Sequence, residues 1–485
     1  MAQVLDDTQE AGTSANPGLR DLFRYPLMSA ITERRTRRVA RGVSIQSGAI
    51  SYKSENAPAP LSPIEEAVLV VATGLTNRVT MHDVPARDVE GGPQFAAPLI
   101  NIRARSASSI DNAHAVSFFM INDEGTWLIK LPTSPEALAT LNALPHRWED
   151  WSEENWLAAA AAAKHRVYKE RLDFPRHWPY YFIWNRQISN RPGTTIFFPV
   201  VDLTRQMINV LLSLLSEHDG QRPLFIDDWR KFRPKSLLDW GAWFGGLFGL
   251  VPKIPYQIIG GARRASSGWL NRDYPVPIGL ANTMRTDYET FFQFQNLMLI
   301  AQAMGLGAWI HAAVGAPYVF ERDPSKGKFG LEFRMQQPKK WRRWPPLPIP
   351  LANPIGIDGV LESLTPPYVK SMDEAVDRVI EEKYGPLGTY GDNATFDRAY
   401  KKSEYGDEYL KMAGTRPSKE AVEYAKEICN YIWKTYGRFP AHVNAFHVPG
   451  VWIQFSHLEM EYYEKYFDPD LYHRQADHYQ IWGSH

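Results

Sequence analysis

Two apolar runs separated by a short polar turn are the clearest strand signal in the chain. Val116 to Ile121 and Thr126 to Leu131 flank Asn122-Asp-Glu-Gly125, and this arrangement is typical of a β-hairpin. A further strand is predicted from Ala308 to Ala313, directly after a glycine pair that ends a long apolar helix. Strand patterns and helix patterns therefore occur in the same chain.

Helical spacing of apolar residues, together with capping signals, predicts several helices. Ser62-Pro63-Ile64-Glu65 combines an N-cap serine, a proline at the first helical position and a capping-box glutamate, and Gly74 ends the helix. A first helix is predicted from Leu27 to Arg38. The others begin at Ser152 and continue through residues 158–163, run from Thr286 to Met304, run from Ser371 to near Gly385, and run from Ser418 to Tyr436 before Gly437.

The size and charge of the chain limit its architecture and its partners. Its 485 residues are too many for a single compact hydrophobic core of ordinary size, which predicts two or three lobes or one expanded domain. The 54 basic and 54 acidic side chains cancel, which argues against a general binder of nucleic acids or anionic membranes. A hydrophobic fraction of 44% with 22% charged residues excludes wholesale disorder.

The single cysteine, Cys429, excludes an intramolecular disulfide framework and a zinc site made of several thiolates. It lies on the apolar stripe of a predicted helix, so we expect a core residue and not a nucleophile. The expected compartment is the reducing cytoplasm, and residues 1–17 have the features of a loose tail and not of a signal peptide. The 13 uncharged residues from Trp240 to Pro252 are too few for a membrane span of roughly 20. We expect that segment to be buried and not to dip into lipid.

The stretch Arg34-Arg35-Thr36-Arg37-Arg38 carries the first candidate chemistry. On the predicted helix, Arg34 and Arg38 lie four residues apart on one face, with the Thr36 hydroxyl near the same end. Two guanidinium groups and a hydroxyl can hold a phosphate through charge-assisted hydrogen bonds. A solvated basic face or a stray polybasic signal remains the alternative, because basic clusters are common on surfaces.

Two further segments are unremarkable on their own. Core packing explains the apolar helix that ends at Gly305-Leu306-Gly307, and Asn353-Pro-Ile-Gly-Ile-Asp358 has the composition of a turn that can expose an amide to a flat ligand. The chain lacks GxGxxG, GxxxxGK[ST], HExxH and GxSxG motifs. The chain therefore lacks the motifs that best identify dinucleotide-fold dehydrogenases, P-loop NTPases, zincins and α/β-hydrolases.

Taken in order, these segments resemble the FMN-dependent nitroreductase superfamily. There, an Arg-Arg-Ser-x-Arg-like motif grips the FMN phosphate and ribityl chain, and Arg34 to Arg38 is similar to it with Thr36 in place of serine. Asn296 to Gly307 fits the family's central helix pattern, Asn-Leu-x-Leu-x-Ala-x-x-x-Gly-Leu-Gly. Pro354-Ile355-Gly356 looks like the proline turn whose amide faces flavin N5, and Asn112 occupies the place of a residue beside the isoalloxazine ring.

The resemblance implies an α+β fold with a nitroreductase-like central sheet flanked by helices, in an intertwined homodimer with FMN at the subunit interface. It covers residues 21–132 and 270–385. The rest divides into a flexible tail (1–20), an aromatic-rich insertion forming a lid or pocket wall (133–269) and a C-terminal extension that wraps the partner subunit (386–485). The implied cofactor-binding residues are Arg34, Arg35, Thr36, Arg38, Asn112, Pro354, Ile355 and Gly356, with Arg416 and Arg438 as candidate C-terminal ligands of the phosphate.

The activity that this resemblance implies is ping-pong transfer from a reductant, NAD(P)H, through flavin N5 to a flat or hydrophobic acceptor such as a nitroaromatic, a quinone or an enone. No side chain is expected to act as a nucleophile. The insertion is expected to wall the acceptor site, with ordinary core or dimer interface as the alternative for each aromatic residue. The residues in question are Trp184, Trp229, Trp240, Trp243 and Phe244.

Two other functions stay open. A non-catalytic FMN-binding protein would store or sense flavin. A metal-dependent hydrolase would use the C-terminal histidines, since six of the 13 histidines fall in the last 44 residues. His457 with Glu459, or His442 with His447, could bind iron or zinc, yet the spacings fit no compact ligand motif and no metal is expected.

Overall fold

The computed structural model of the chain describes residues 16–79, 103–178, 180–182, 185–216, 222–226, 264, 266–314, 316–337, 352–386, 388–391, 400–413, 416–443 and 450–483. Outside these residues lie Trp184, Trp229, Trp240, Trp243, Phe244, the whole of segment 240–252, His447 and His485, so what was expected of them stays a prediction. Among the described helices, none combines the length and the apolar character that a membrane crossing needs.

Helices and strands both contribute along the described chain, which confirms the α+β class. The strands are β1 (Leu75–Val79), β2 (Arg103–Arg105), β3 (Val116–Asn122), β4 (Gly125–Ile129), β5 (Lys164–Tyr168), β6 (Thr195–Asp202), β7 (Pro223–Ile226), β8 (Asn271–Pro277), β9 (Gly307–Val314), β10 (Arg322–Asp323), β11 (Lys328–Phe329), β12 (Arg334–Gln336), β13 (Asn353–Ile357), β14 (Leu361–Glu362), β15 (His442–Val443) and β16 (Gly450–Ser456). The helices are α1 (Pro17–Arg24), α2 (Leu27–Thr32), α3 (Pro63–Ala72), α4 (Pro135–Ala143), α5 (Glu153–Ala163), α6 (Leu203–Leu215), α7 (Ile278–Met304), α8 (Ala316–Phe320), α9 (Met372–Tyr384), α10 (Ser403–Ala413), α11 (Lys419–Tyr436), α12 (Met460–Tyr466) and α13 (His473–Ile481).

The central sheet of the described residues has seven strands and is antiparallel throughout. Its order is β5-β4-β3-β6-β16-β9, and β15 also pairs with β6. The predicted hairpin is confirmed in β3 and β4, and the predicted strand after the long helix is confirmed in β9. Because side chains alternate along each strand, Phe118 and Phe197 pack with α3, α5 and α7 on one face, whereas Phe119 and Trp452 pack into an aromatic cluster on the other.

Local capping signals place the helix ends where the sequence predicts them. At the start of α3, Ser62 Oγ accepts from the Glu65 N–H while the Glu65 carboxylate accepts from the Ser62 N–H. Helix α7 ends before Gly305, whose φ is +79°. A Cβ at Gly305 would lie 2.6 Å from the carbonyl oxygen of Arg474, so glycine also allows α13 to pack closely against this turn.

The central sheet takes strands from every long segment of the predicted domain division. Segment 133–269 supplies β5 and β6, and segment 386–485 supplies β15 and β16, with β16 between β6 and β9. Both segments therefore build the sheet of their own chain, whatever else they do as a lid or as an arm toward a partner. The domain boundaries themselves stay predictions.

A second hydrophobic cluster joins α6, α9 and α11, and it contains the single cysteine. Cys429 is fully buried, and burial raises the pKa of its thiol above the usual value. This confirms Cys429 as a core residue, as the stripe on α11 predicts.

The first predicted helix is shorter than expected, and this corrects the geometry predicted for Arg34 and Arg38. Helix α2 ends at Thr32. Beyond it, the Arg37 N–H donates to the carbonyl oxygen of Ala308 in β9, and the Arg38 N–H donates to Tyr463 Oη. These partners from distant parts of the chain replace the hydrogen bonds of a continuing helix, so residues 34–38 are not helical.

The segment Pro354-Ile355-Gly356, predicted as a turn, lies inside strand β13. This strand is the middle one of the sheet β12-β13-β14, with Pro354 opposite Met335 and Gly356 opposite Glu362. The register shifts just before Met335, and such an irregularity accommodates a residue without an N–H. The predicted turn is therefore wrong.

Candidate functional site

Residues 34–41, here called the arginine segment, run beside the edge strand β9 and the start of α12. The Arg38 and Val39 N–H groups both donate to Tyr463 Oη, at 3.0 and 3.2 Å, and the Arg41 N–H donates to the carbonyl oxygen of His457 at 3.0 Å. Burial alternates from Thr36 to Val39, since Arg37 and Val39 are buried while Thr36 and Arg38 are exposed.

This alternation changes which residues share a face. In an extended chain, residues two apart lie on the same side. Thr36 and Arg38 therefore face outward together for a reason other than the predicted helix. The alternation does not extend to Arg34, which is half-buried, or to Arg35, which is exposed.

The arginines of this segment differ in what their guanidinium groups contact. Arg35 Nη1 donates to the carbonyl oxygens of Thr32 and Arg34, at 3.2 and 3.1 Å, so Arg35 caps the end of α2. Burial lowers the pKa of the Arg37 guanidinium. Among the described residues, no carboxylate forms an ion pair with Arg34, Arg37 or Arg38. Arg34 and Arg38 thus carry outward charges that no described acid neutralises.

An aromatic stack lies beside Arg38. The rings of Trp309 and His311 are 3.4 Å apart and inclined by 7°, and the Arg38 guanidinium lies 5.8 Å from the centre of the Trp309 ring. Trp452 Nε1 donates to His311 Nε2, with Ser189 Oγ 3.0 Å from the same nitrogen. Since Nε2 accepts, the ring proton lies on Nδ1. Burial keeps the pKa of His311 well below its usual value, so the ring is neutral.

One N–H group of this stack has no hydrogen-bond partner among the described residues. It is Trp309 Nε1, which is buried, whereas the His311 ring also interacts with the main chain of Trp309. A buried donor without an acceptor costs about 1 to 3 kcal/mol. The stack therefore has one unsatisfied donor next to the cationic face of the arginine segment.

The other predicted cofactor ligands lie elsewhere in the chain. Arg438 Nη1 donates to Asn353 Oδ1 at 3.2 Å, so Arg438 and the Pro354 segment are neighbours. Arg416 Nη2 donates to the carbonyl oxygen of Tyr384 at 2.9 Å. Asn112 is buried, with Oδ1 against His114 Nε2. These contacts give Arg416, Arg438 and Asn112 partners outside the arginine segment.

A cleft of about 720 Å³ opens between α3, α7 and the residues 146–156. Three indoles form its aromatic wall, with ring centres 5.2 Å apart for Trp151 and Trp156 and 6.2 Å for Trp148 and Trp156. Trp156 is buried and its Nε1 has no acceptor among the described residues. Asn296, from the helix pattern noted above, lines the opposite side. Size and lining suit a flat organic ligand.

An exposed apolar face lies beside this cleft, on α2 and α7. On α2, Leu27 and Met28 are 66% and 64% exposed, with Ile31 one turn further on. On α7, Tyr288 and Phe292 are exposed four residues apart, which places them on one side of the helix. Leu27 belongs both to this face and to the cleft. Groups of exposed apolar residues of this kind on neighbouring helices are candidate interaction surfaces.

A buried triad, Glu65 with His457 and His478, lies on the inner side of the arginine segment. The two histidine Nε2 atoms are 3.0 and 2.9 Å from the same atom, Glu65 Oε1. All three side chains are at most 1% exposed. Burial acts to raise the pKa of Glu65, but the hydrogen bonds from the two histidines outweigh it and hold that pKa well below its usual value.

Sequence reasoning missed this triad. His457 was a candidate ligand with Glu459, but Glu459 instead accepts from the Gly42 N–H and from Asn56 Nδ2. The sequence indicates only a capping role for Glu65, because the capping box with Ser62 fully explains a glutamate at that position. The partners are 392 residues apart in sequence, and no local pattern connects them.

No protein-family model, curated protein or solved structure matches the chain.

Proposed function

We propose that the protein is an FMN-dependent oxidoreductase with a nitroreductase-like fold that works as a homodimer. The observation that carries this proposal is the outward face of the arginine segment, where Arg34 and Arg38 meet no described acid. A phosphate dianion that leaves water needs such partners, and guanidinium groups bind it through charge-assisted hydrogen bonds.

The residues of this face fit FMN as a ligand. Arg34 and Arg38 would hold the phosphate and the Thr36 hydroxyl would donate to it, while Trp309 Nε1 would offer an N–H donor to the acceptor-rich remainder of the molecule. Bound FMN would supply two-electron transfer at N5 between NAD(P)H and an acceptor. Arg35 and Arg37 have different roles, because Arg35 caps α2 and Arg37 is buried beneath the face.

The aromatic cleft supports a flat or hydrophobic acceptor. Its three indoles bind planar rings by stacking and exclude water from them, and its volume suits a molecule of that class. In this proposal Trp148, Trp151 and Trp156 orient the acceptor, and no side chain acts as a nucleophile.

The exposed face of α2 and α7 supports the homodimer. Apolar residues on two adjacent helices are stabilised when a second copy covers them. Since the arginine segment directly follows α2, a dimer through this face would enclose the phosphate-binding side chains at the subunit interface. Such enclosure strengthens each charged hydrogen bond.

The proposal is tested by the absorbance spectrum of the purified protein and by anaerobic mixing with NADPH or NADH. We expect a flavin spectrum, release of FMN on denaturation, and loss of the oxidised-flavin absorbance with one of the two nicotinamides, followed by recovery on adding a quinone. A protein that binds FMN without being reduced would be a storage or sensor protein. A protein that neither contains nor binds added FMN would refute both functions.

A further inference from the structure

Each member of the buried triad is oriented by a separate polar partner. The Ser62 N–H and Oγ–H donate to Glu65 Oε2, at 2.6 and 2.7 Å, which turns Oε1 toward the histidines. His457 Nδ1 lies 3.1 Å from the carbonyl oxygen of Ala59, and His478 Nδ1 lies 2.7 Å from that of Met304. The two rings thus approach Glu65 with the same nitrogen and contact the main chain with the other.

These contacts fix one hydrogen on each ring. A carbonyl oxygen only accepts hydrogen bonds, so each Nδ1 carries a hydrogen. On each ring Nε2 faces Glu65 Oε1, which is also an acceptor, so a bound metal ion would replace the hydrogen between these two atoms and bind the lone pair of Nε2. Histidine ligands of metals are held in this way, with the second nitrogen donating to a carbonyl or a carboxylate.

We propose that Glu65, His457 and His478 form a binding site for a divalent transition metal such as Zn²⁺ or Fe²⁺. Two imidazoles and one carboxylate are an established donor set for both ions. The inference is independent of the flavin proposal.

The spacing of the donor atoms suits this assignment. The three ligand atoms all lie within 4.8 Å of one another, and two of the separations are 3.0 and 2.9 Å. In a tetrahedral Zn²⁺ site with bonds of 2.0 to 2.2 Å, neighbouring ligand atoms are about 3.3 to 3.6 Å apart. A few tenths of an ångström of outward movement in each side chain would therefore accommodate the ion.

The three side chains supply three ligands, so a water molecule would complete a tetrahedral site, and the role assigned to this metal is structural. The side chains are at most 1% exposed, so a substrate does not reach them, and the site differs from the hydrolase centre considered for the C-terminal histidines. It joins α3, the end of β16 and the C-terminal helix α13, whose ligands lie up to 413 residues apart (478 minus 65). A bond across such a span holds the C-terminal helix against the core.

The first experiment measures the metal in the full-length protein. We expect elemental analysis to find one Zn²⁺ or Fe²⁺ ion per chain. After removal of the metal with a chelator, added Co²⁺ should produce the visible d–d bands of a tetrahedral nitrogen and oxygen site, and added Zn²⁺ should raise the midpoint of thermal unfolding. A wild-type protein without metal that gives neither response would overturn the proposal and leave a hydrogen-bonded triad.

Variants assign the ion to these side chains. His478→Gln and Glu65→Gln should lose the ion, whereas His473→Gln, on the same helix and with its side chain 57% exposed, should keep it. If His478→Gln binds Co²⁺ with the wild-type spectrum, the site lies elsewhere and the proposal is wrong. The Co²⁺ spectrum of the wild-type protein decides the question of binding even where a variant fails to fold.

Discussion

The arginine segment and the buried triad are adjacent in the fold, yet their polar groups differ in burial and in hydrogen-bond partners. They meet where the Arg41 N–H donates to the carbonyl oxygen of His457. In the triad every member is buried and held by a second partner, whereas Arg34 and Arg38 face outward without a described acid. Polar groups oriented on all sides hold parts of the chain together, and charges left without a partner are available to a ligand. The comparison assigns the triad to stability and the arginine segment to binding.

The largest expected effect is on stability, from Glu65→Ala. This change removes the acceptor of two buried histidines and the capping-box partner of Ser62. Removing one partner from a buried ionic cluster costs about 3 to 5 kcal/mol, measured as the free energy of unfolding in urea. Glu423→Gln is the control, since its carboxylate is 56% exposed, and should change stability by less than about 0.5 kcal/mol. Equal effects of the two changes would show that Glu65 contributes no more to stability than an exposed carboxylate, and would contradict the stabilising role of the triad.

Lys383 is a buried lysine whose side-chain partner is neutral, so its contribution to the free energy of unfolding should depend on pH. Lys383 Nζ donates to Asn209 Oδ1 at 2.7 Å, and burial lowers the pKa of Lys383 to about 7. The unfolded chain keeps its lysine protonated up to about pH 10.4, so between these values the unfolded state binds more protons and stability rises with pH. The slope from this group approaches about 1.4 kcal/mol per pH unit.

Lys383→Met tests that slope, because methionine fills similar space without a charge. Urea unfolding of the wild-type protein between pH 7 and pH 10 should show a rise in stability that the variant lacks. Other groups titrate equally in both proteins, so the difference between the two curves isolates Lys383. Parallel curves would show that Lys383 keeps an ordinary pKa in the folded protein.

A smaller effect is expected on self-association, from Phe292→Asp on the apolar face of α7. Covering one phenylalanine contributes about 1.5 to 3 kcal/mol, so the dimer dissociation constant should rise about tenfold to a hundredfold, as measured by sedimentation velocity. Tyr405→Asp provides a control, because Tyr405 is equally exposed but lies on α10. If both variants remain dimers of wild-type strength, the dimer does not use this face.

Local signals made much of the fold predictable. The capping boxes at Ser62 and Ser152 and the glycine turn after Met304 define helix ends through neighbours in sequence, and the hairpin is defined by its two-residue turn. The end of α2 was missed because Tyr463 and Ala308, which hold the next residues, are far away in sequence.

Prediction of the candidate sites is likewise limited where their residues are held by partners far away in sequence. Arg34 and Arg38 were identified together because a spacing of four places them on one face of a helix, whereas the structure places Thr36 and Arg38 on one side through the period of two in an extended chain. The residues around Pro354 have the composition of a turn, so the sequence predicts a turn there. The observed strand depends on pairing with residues of β12 and β14, which the local sequence does not show. The triad depends on contacts between the first and last parts of the chain, and those contacts leave no local pattern.

The central claim is that Arg34 and Arg38 bind the phosphate of FMN, and FMN titration of charge-altered variants tests it most directly. Each lost charge-assisted bond is worth about 1.5 to 3 kcal/mol, so Arg34→Ala/Arg38→Ala should raise the FMN dissociation constant at least a hundredfold, by about tenfold or more for each arginine. Arg35→Ala removes a charge that already contacts main-chain carbonyls and should shift the constant by less than about threefold. Flavin fluorescence quenching measures all three proteins. A double variant that binds FMN as tightly as Arg35→Ala would contradict the account.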